Sequence, residues 1–175
     1  MTITEASADD LRIIADQLGR VPRGVIGVAA RCICHAPLVV ATAARLDDGT
    51  PFPTTFYLSQ PAAVKGCSTL EAAHWMDELN RLLSDDEELR ARYAEAHRHY
   101  VTARENIEVV DEIRNVSAGG MPTRVKCLHA LLGHALAAGP GVNPIGDLTL
   151  VELHARGLWS REDCRCLPGQ TGNGE

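Results

Sequence analysis

Six cysteines are the residues of this sequence whose types and spacing could do chemistry. Four of them form two Cys-x-Cys pairs, while the other two stand alone in the middle of the chain. Thiolates from several parts of a chain are typical ligands of a tetrahedral zinc ion or an iron–sulfur cluster. We therefore predict a cysteine-ligated metal centre, and its candidate ligands are Cys32, Cys34, Cys127, Cys164 and Cys166.

The spacing within a Cys-x-Cys pair sets a condition on the backbone. On an extended strand the two side chains share a face but stand roughly 6–7 Å apart, whereas two ligands of one zinc ion need sulfurs within about 4 Å. A turn brings them together, and Ala36-Pro37 predicts a turn after the first pair. The stronger zinc signal, Cys-x-x-Cys, is absent. Apolar packing and a redox disulfide therefore stay open as alternatives. Cys67 is interpreted as a core residue.

A helix predicted over residues 123–138 carries Cys127, His129 and His134. In such a helix His129 would point about 200° away from Cys127, and His134 would lie about 10 Å along the axis. We therefore expect this helix to supply one ligand, Cys127. His129 is a candidate general acid or base, although a helical histidine is more often a packed or surface residue.

Two glycines before this helix suggest an anion site, because backbone N–H groups at a helix start attract negative charge. The candidate anion-binding residues are Gly119, Gly120, Arg124 and Lys126, with Arg23, or alternatively Arg31, joining them in space. The expected ligand is a phosphate or a carboxylate. The alternative is a flexible linker with solvated cations, since neither a Walker spacing nor Gly-x-Gly-x-x-Gly is present.

The helices and strands predicted around these residues indicate an α+β fold. We expect a mainly helical single domain over residues 1–168, followed by a disordered tail at 169–175. It has a small N-terminal β-sheet of about three strands, a long αα-hairpin and two C-terminal helices. The predicted strands cover 25–30, 38–42 and 54–58. The predicted helices cover 8–18, 61–84, 86–113, 123–138 and a last one from 144 to about 157.

Composition excludes several classes of function. The formal net charge is −6 and no long basic run occurs, so no nucleic-acid partner is expected. No apolar stretch is long enough for a membrane span, and the first twenty residues do not resemble a signal peptide. A cytoplasmic location is therefore expected, where cysteines are more often thiols or ligands than disulfides. The acidic helical hairpin is a candidate surface for a protein partner.

Several idiosyncratic strings resemble the domain of unknown function 501 family, which is found mainly in actinobacteria. They include residues 17–24, 31–34 and 45–54, and above all 117–129, which continues through 134–147. The resemblance implies family cysteines at Cys32, Cys34, Cys127 and one near the C-terminus, where this chain offers both Cys164 and Cys166. It implies no activity, because the family has none established.

These observations leave three hypotheses for function. The first is a metal-binding protein with a zinc or iron–sulfur centre next to an anion site. The second is a small metalloenzyme acting on an anionic metabolite, which fits because Cys127 directly follows the cationic segment. The third is a thiol redox protein without a metal.

Overall fold

A computed structural model describes residues 1–169 of the protein. Within that range the fold is α+β, as predicted, with a three-stranded antiparallel sheet near the N-terminus and six α-helices. The tail expected to be disordered, 169–175, lies outside the described residues except for Gly169. None of the helices in the described part of the chain is long and apolar enough to cross a membrane.

The sheet is an antiparallel meander in the order β1-β2-β3. Strand β2 lies in the middle and is buried at all six positions, because elements pack on both of its faces. Val40 contributes to a small cluster with Ile14 of the first helix, while Leu38 and Val39 belong to the main core. The strands are β1, Val25–Arg31, β2, Pro37–Thr42, and β3, Phe56–Leu58.

Helix α1, Ala8–Leu18, has the bounds expected from its sequence. Ser7 and Asp10 form a capping box at its start, which satisfies two of the orphan amides there. Gly19 ends the helix in the left-handed conformation. Ile14 packs against Val28 and Val40 on one face of the sheet.

The prediction of one helix over 61–84 is wrong, because the chain forms two helices there, α2, Pro61–Ala72, and α3, Trp75–Asp85. His74 separates them with a left-handed φ of 59°, a conformation that no glycine or asparagine announces in the sequence. Helix α4, Glu87–Glu105, packs against α3 to form the expected αα-hairpin. It ends well before residue 113, and Asp111–Ile113 is a separate 3₁₀ turn.

Helices α5, Leu128–Ala138, and α6, Pro144–Ala155, complete the fold. The start predicted for α5, Thr123, is wrong by five residues. Cys127 is the N-cap residue and has extended backbone angles. The helix lies close against β3, since a Cβ atom added to Gly133 would stand 2.7 Å from the carbonyl oxygen of Phe56. The later start of α5 decides how the candidate site is built.

Candidate metal centre

Four cysteines from opposite ends of the chain meet in the structure. The Sγ atoms of Cys32, Cys34, Cys164 and Cys166 all lie within 4.8 Å of one another. Each offers one sulfur, and such a group is compatible with binding a metal ion. The two Cys-x-Cys pairs therefore come together as the sequence suggested.

The first pair is brought together by the turn between β1 and β2. The backbone N–H of Cys32 donates to the carbonyl of Ala36 at 2.9 Å, and the N–H of His35 donates back to Cys32 at 2.9 Å. His35 takes a left-handed φ of 65°, which lets the chain reverse within this short segment. The turn meets the spacing condition that an extended strand would not meet.

The second pair lies on an irregular segment that follows α6. Trp159, which is 2% exposed, anchors the start of this segment in the core. Arg165, between the two cysteines, donates from Nη1 to the carbonyl of Leu158 at 2.9 Å and to that of Gly157 at 3.3 Å. The segment is thereby folded back toward α6, and its thiols face the β1–β2 turn.

Gln60 is a neighbour of this centre that sequence reasoning missed. Its side chain is fully buried at the start of α2, where Oε1 accepts the backbone N–H of Ala63 at 2.7 Å. Its Nε2 donates to Sγ of Cys166 at 3.9 Å. This amide N–H is a buried hydrogen-bond donor to the sulfur, and a thiolate accepts such a bond more strongly than a thiol does. A glutamine that caps a helix carries no sequence signal of this second contact.

Burial and mutual contact shift the pKa values of three of these thiols, Cys32, Cys34 and Cys166. Burial raises the pKa of Cys32, and burial together with the neighbouring Cys34 raises that of Cys166. Burial also acts on Cys34, but the Ala36 N–H and the other thiols outweigh it and lower its pKa to about 7. The Cys34 thiolate therefore forms more readily than those of Cys32 and Cys166, and a bound cation would favour ionisation of the group.

The structure separates Cys127 from these four cysteines. Cys127 lies instead with Glu71 and His129, and one ligand atom of each is within 4.8 Å of the others. The helical argument that pointed His129 away from Cys127 does not apply, because Cys127 is the N-cap residue and not part of α5. His134 lies further along α5, is fully buried, and contacts His99 instead of this group.

The contacts within this second group are short and converge on one atom. Nδ1 of His129 lies 3.2 Å from Oε1 of Glu71 and 3.9 Å from Sγ of Cys127. Glu71 Oε1 also accepts the first backbone N–H of α5, from Leu128, at 2.7 Å. The Cys127 contact raises the pKa of His129. Burial raises the pKa of Cys127, but the contact with His129 outweighs it and the net shift is downward.

The glycine loop before α5 is folded on itself. Gly119 and Gly120 both have positive φ, and their carbonyls accept the backbone N–H groups of Lys126 and Arg124, respectively. The side chains of Arg124 and Lys126 are exposed. Because Glu71 already caps α5, a carboxylate of the chain itself occupies the helix start on which the predicted anion site depended.

Arg23 is engaged away from that loop. Its guanidinium forms an ion pair with Asp48. It lines a cavity of about 230 Å³ together with Leu18, Leu46 and Tyr57, and no residue of the glycine loop lines that cavity. The structure thus does not bring Arg23 to Arg124 and Lys126.

A larger cavity of about 610 Å³ lies next to Cys127 and His129. It runs from β3 to the start of α2, and its lining includes Tyr57, Lys65 and Gln17. Glu71 was missed in the sequence because a carboxylate near the end of a helix looks like a solvated residue. The one signal that could have found the group is the close spacing of Cys127 and His129.

Comparison with known proteins gives one match. A family model described as a protein of unknown function (DUF501) matches residues 28–151, which is more than half of the chain. The matched range includes Cys32, Cys34, Cys127 and His129, and it ends before Cys164. No curated protein and no solved structure matches the chain.

Proposed function

The chain belongs to the DUF501 family of proteins of unknown function, and from the site itself we propose that it is a metal-binding protein with one zinc ion held by four cysteines. The ligands are Cys32, Cys34, Cys164 and Cys166. The observation that carries the proposal is the mutual approach of their four Sγ atoms to within 4.8 Å.

These distances support a single ion over a cluster. Zn–S bonds of about 2.3 Å in a tetrahedron place the sulfurs about 3.8 Å apart, which agrees with a group whose members all lie within 4.8 Å. An iron–sulfur cluster puts several irons and sulfides between its cysteine ligands, so it requires wider spacing.

The role of this ion is to fasten the C-terminal segment to the sheet. Residues 160–166 form no helix or strand, so backbone hydrogen bonding alone gives them little order. Metal binding to a site assembled only in the folded chain contributes directly to folding. The ion would join the β1–β2 turn to the segment that follows α6.

A thiol redox protein without metal is the second candidate, and one observation favours it. The pKa of Cys34 is lowered to about 7, and the other three thiols are within reach of its sulfur. A thiolate with a lowered pKa next to a partner thiol is the arrangement of a redox-active pair.

Elemental analysis of protein purified without oxygen tests the proposal. We expect zinc in the native protein and the loss of one equivalent in Cys34→Ser, with no loss in the control Cys67→Ala, whose thiol belongs to the core. Iron with matching acid-labile sulfide would overturn zinc in favour of a cluster. Metal-free protein that forms a reversible disulfide among the four cysteines would favour the redox candidate.

A further inference from the structure

Glu71, Cys127 and His129 form a group of metal-ligand type that the four-cysteine centre does not use. The carboxylate, the thiol and the imidazole each offer one ligand atom, and these atoms lie within 4.8 Å of one another. The side chains of His129 and Glu71 are 26% and 24% exposed. The group is therefore sheltered from solvent but still accessible.

The direction of the contacts distinguishes a metal site from a nucleophilic triad. In a triad the carboxylate and the nucleophile bind different nitrogens of the histidine. Here Oε1 of Glu71 and Sγ of Cys127 both approach Nδ1 of His129, at 3.2 Å and 3.9 Å. Two acceptors that face the same ring nitrogen are the arrangement expected around a shared cation.

The other ring nitrogen of His129 is fixed by the neighbouring helix. Nε2 lies 3.1 Å from the carbonyl oxygen of Val64 and 3.2 Å from Oγ of Ser68. A proton on Nε2 is donated to that carbonyl, which leaves the lone pair on Nδ1. Histidine ligands of metals are commonly oriented by such a backbone carbonyl.

The distances fit a tetrahedral ion. Bonds of about 2.0–2.1 Å to nitrogen, about 2.0–2.2 Å to oxygen and about 2.3 Å to sulfur place the nitrogen about 3.3 Å from the oxygen and about 3.6 Å from the sulfur. The structure has 3.2 Å and 3.9 Å for the corresponding pairs of atoms. An ion therefore needs only a small movement of Cys127.

Two residues of the group, Cys127 and His129, line the 610 Å³ cavity. Lys65, an exposed residue, lines the same cavity. Three protein ligands with an open position are typical of zinc sites that exchange a water or a substrate. A cationic residue on the cavity wall favours an anionic ligand in the cavity.

We propose that Glu71, Cys127 and His129 form a second metal site, which binds a divalent ion of the zinc class and leaves its fourth position for water or a small anion from the cavity. On binding, Sγ of Cys127 loses its proton to solvent and forms the metal–sulfur bond. Nδ1 of His129 binds through its lone pair, any proton on it passing to solvent, and the Glu71 carboxylate binds through oxygen. No electron is transferred. This site is independent of the four-cysteine centre.

Metal stoichiometry and cobalt spectroscopy test the site in the full chain. We expect the native protein to bind two equivalents of zinc, and Cys127→Ser and His129→Ala to bind one. The control Cys67→Ala also removes a thiol outside the four-cysteine centre, and we expect it to keep two equivalents of zinc. Cys164→Ser loses the other equivalent, so failure of either site is distinguishable from failure of both.

Glu71→Gln is a third variant, chosen because it is expected to fold even if the other two do not. Its amide oxygen still accepts the Leu128 N–H, so the cap of α5 is retained while the ligand charge is lost. We expect the affinity of this second site for zinc to fall at least about tenfold in Glu71→Gln. Unchanged affinity and stoichiometry in all three variants would overturn the proposal.

The open position is tested with azide added to cobalt-substituted protein. We expect azide to shift the visible bands of the native protein and of Cys164→Ser, and to leave those of Cys127→Ser unchanged. A native spectrum that azide does not alter would overturn the exchangeable fourth position. In that case the site would be a closed one.

Discussion

Gln60 donates a hydrogen bond from its buried side chain to the sulfur of Cys166, across 3.9 Å. The same carboxamide caps helix α2 through Oε1, which accepts from Ala63. One side chain therefore connects the start of a core helix to the four-cysteine centre. Groups that hydrogen-bond to a metal ligand orient it and tune its basicity.

Replacing Gln60 with leucine should weaken the metal centre. The variant loses the donor to Cys166, and we expect metal affinity to fall about tenfold or more. It also loses a helix cap, which destabilises the fold by about 1 kcal/mol. Competition with a chromophoric chelator measures the first effect and urea unfolding the second.

The matched control is Asp86→Ala, which removes the side-chain cap of α4 on Leu89 and touches none of the cysteines. It should show a similar loss of stability with unchanged metal affinity. Equal affinities in Gln60→Leu and native protein would contradict the role given to Gln60.

The fold was largely predictable because its signals are local. Ser7 and Gly19 mark both ends of α1, and the hydrophobic runs mark the three strands. The break at His74 was not predictable, since a histidine with positive φ is set by packing and not by its own propensity. The late start of α5 was hidden for the same reason, because the loop before it depends on long-range contacts such as that of Asn80 with Val125.

The candidate site could be predicted only in part. Cysteine chemistry pointed to the two Cys-x-Cys pairs, and their meeting requires only that the chain ends approach. Cys127 was grouped with them because all thiolates look alike in a sequence. Its actual neighbours, Glu71 and His129, depend on how α2 lies beside α5, and no pattern in either helix encodes that approach.

His134 should make the protein less stable in mild acid. It is fully buried, with Nδ1 3.1 Å from Nδ2 of Asn143 and Nε2 2.9 Å from Nδ1 of His99. Burial lowers the pKa of His134 to about 3. Burial also lowers the pKa of His99. The unfolded state, with a histidine pKa of about 6.5, binds protons first as the pH falls.

The contribution of neutral, buried His134 to stability is therefore complete above the unfolded pKa of about 6.5 and is lost as the pH falls from there toward 3. The free energy of unfolding should fall by up to about 1.4 kcal/mol per pH unit for this one group. Urea unfolding over this range measures the slope. His134→Gln should be less stable at neutral pH but have a shallower acid limb. The control His154→Gln, at an exposed position, should keep the native slope; an unchanged slope in His134→Gln would refute the assignment.

Asp10 and Arg31 form an ion pair that fastens α1 to the end of β1, with two guanidinium contacts of 2.7 and 3.0 Å. The hydrogen bond from Arg31 lowers the pKa of Asp10 to about 2. The contribution of this ion pair to stability is complete above the pKa of Asp10 in the unfolded chain, about 3.9. It is lost as the pH falls through the pKa of Asp10 in the folded protein. Asp10→Asn should cost about 1–3 kcal/mol at neutral pH.

Chemical unfolding at neutral pH checks the Asp10 prediction, with Asp9→Asn as the control. Asp9 lies in the same first turn, but its side chain is 67% exposed in its pair with Arg12. That exposed pair should contribute less than about 1 kcal/mol. Equal losses in the two variants would mean that the charge near the helix start matters and the bond to Arg31 does not.

Removing the metal should release the C-terminal segment while the helices remain folded. Arg161 and Arg165 are exposed and lie in a segment without helix or strand, so we expect a metal at the four-cysteine centre to restrain local opening there. Proteolysis of a folded protein follows the population of locally opened states. Trypsin should therefore cut after these two arginines much faster once a chelator has removed the metal.

Arg92 and Arg98 on α4 serve as internal controls, because cleavage there requires that helix to unfold. Their cleavage should stay slow with and without chelator. Cys164→Ser should show fast cleavage after Arg161 from the start and no further effect of the chelator. If the native protein is cut after Arg161 at the same rate in both conditions, then the segment is held by contacts such as Trp159 in the core and not by a metal.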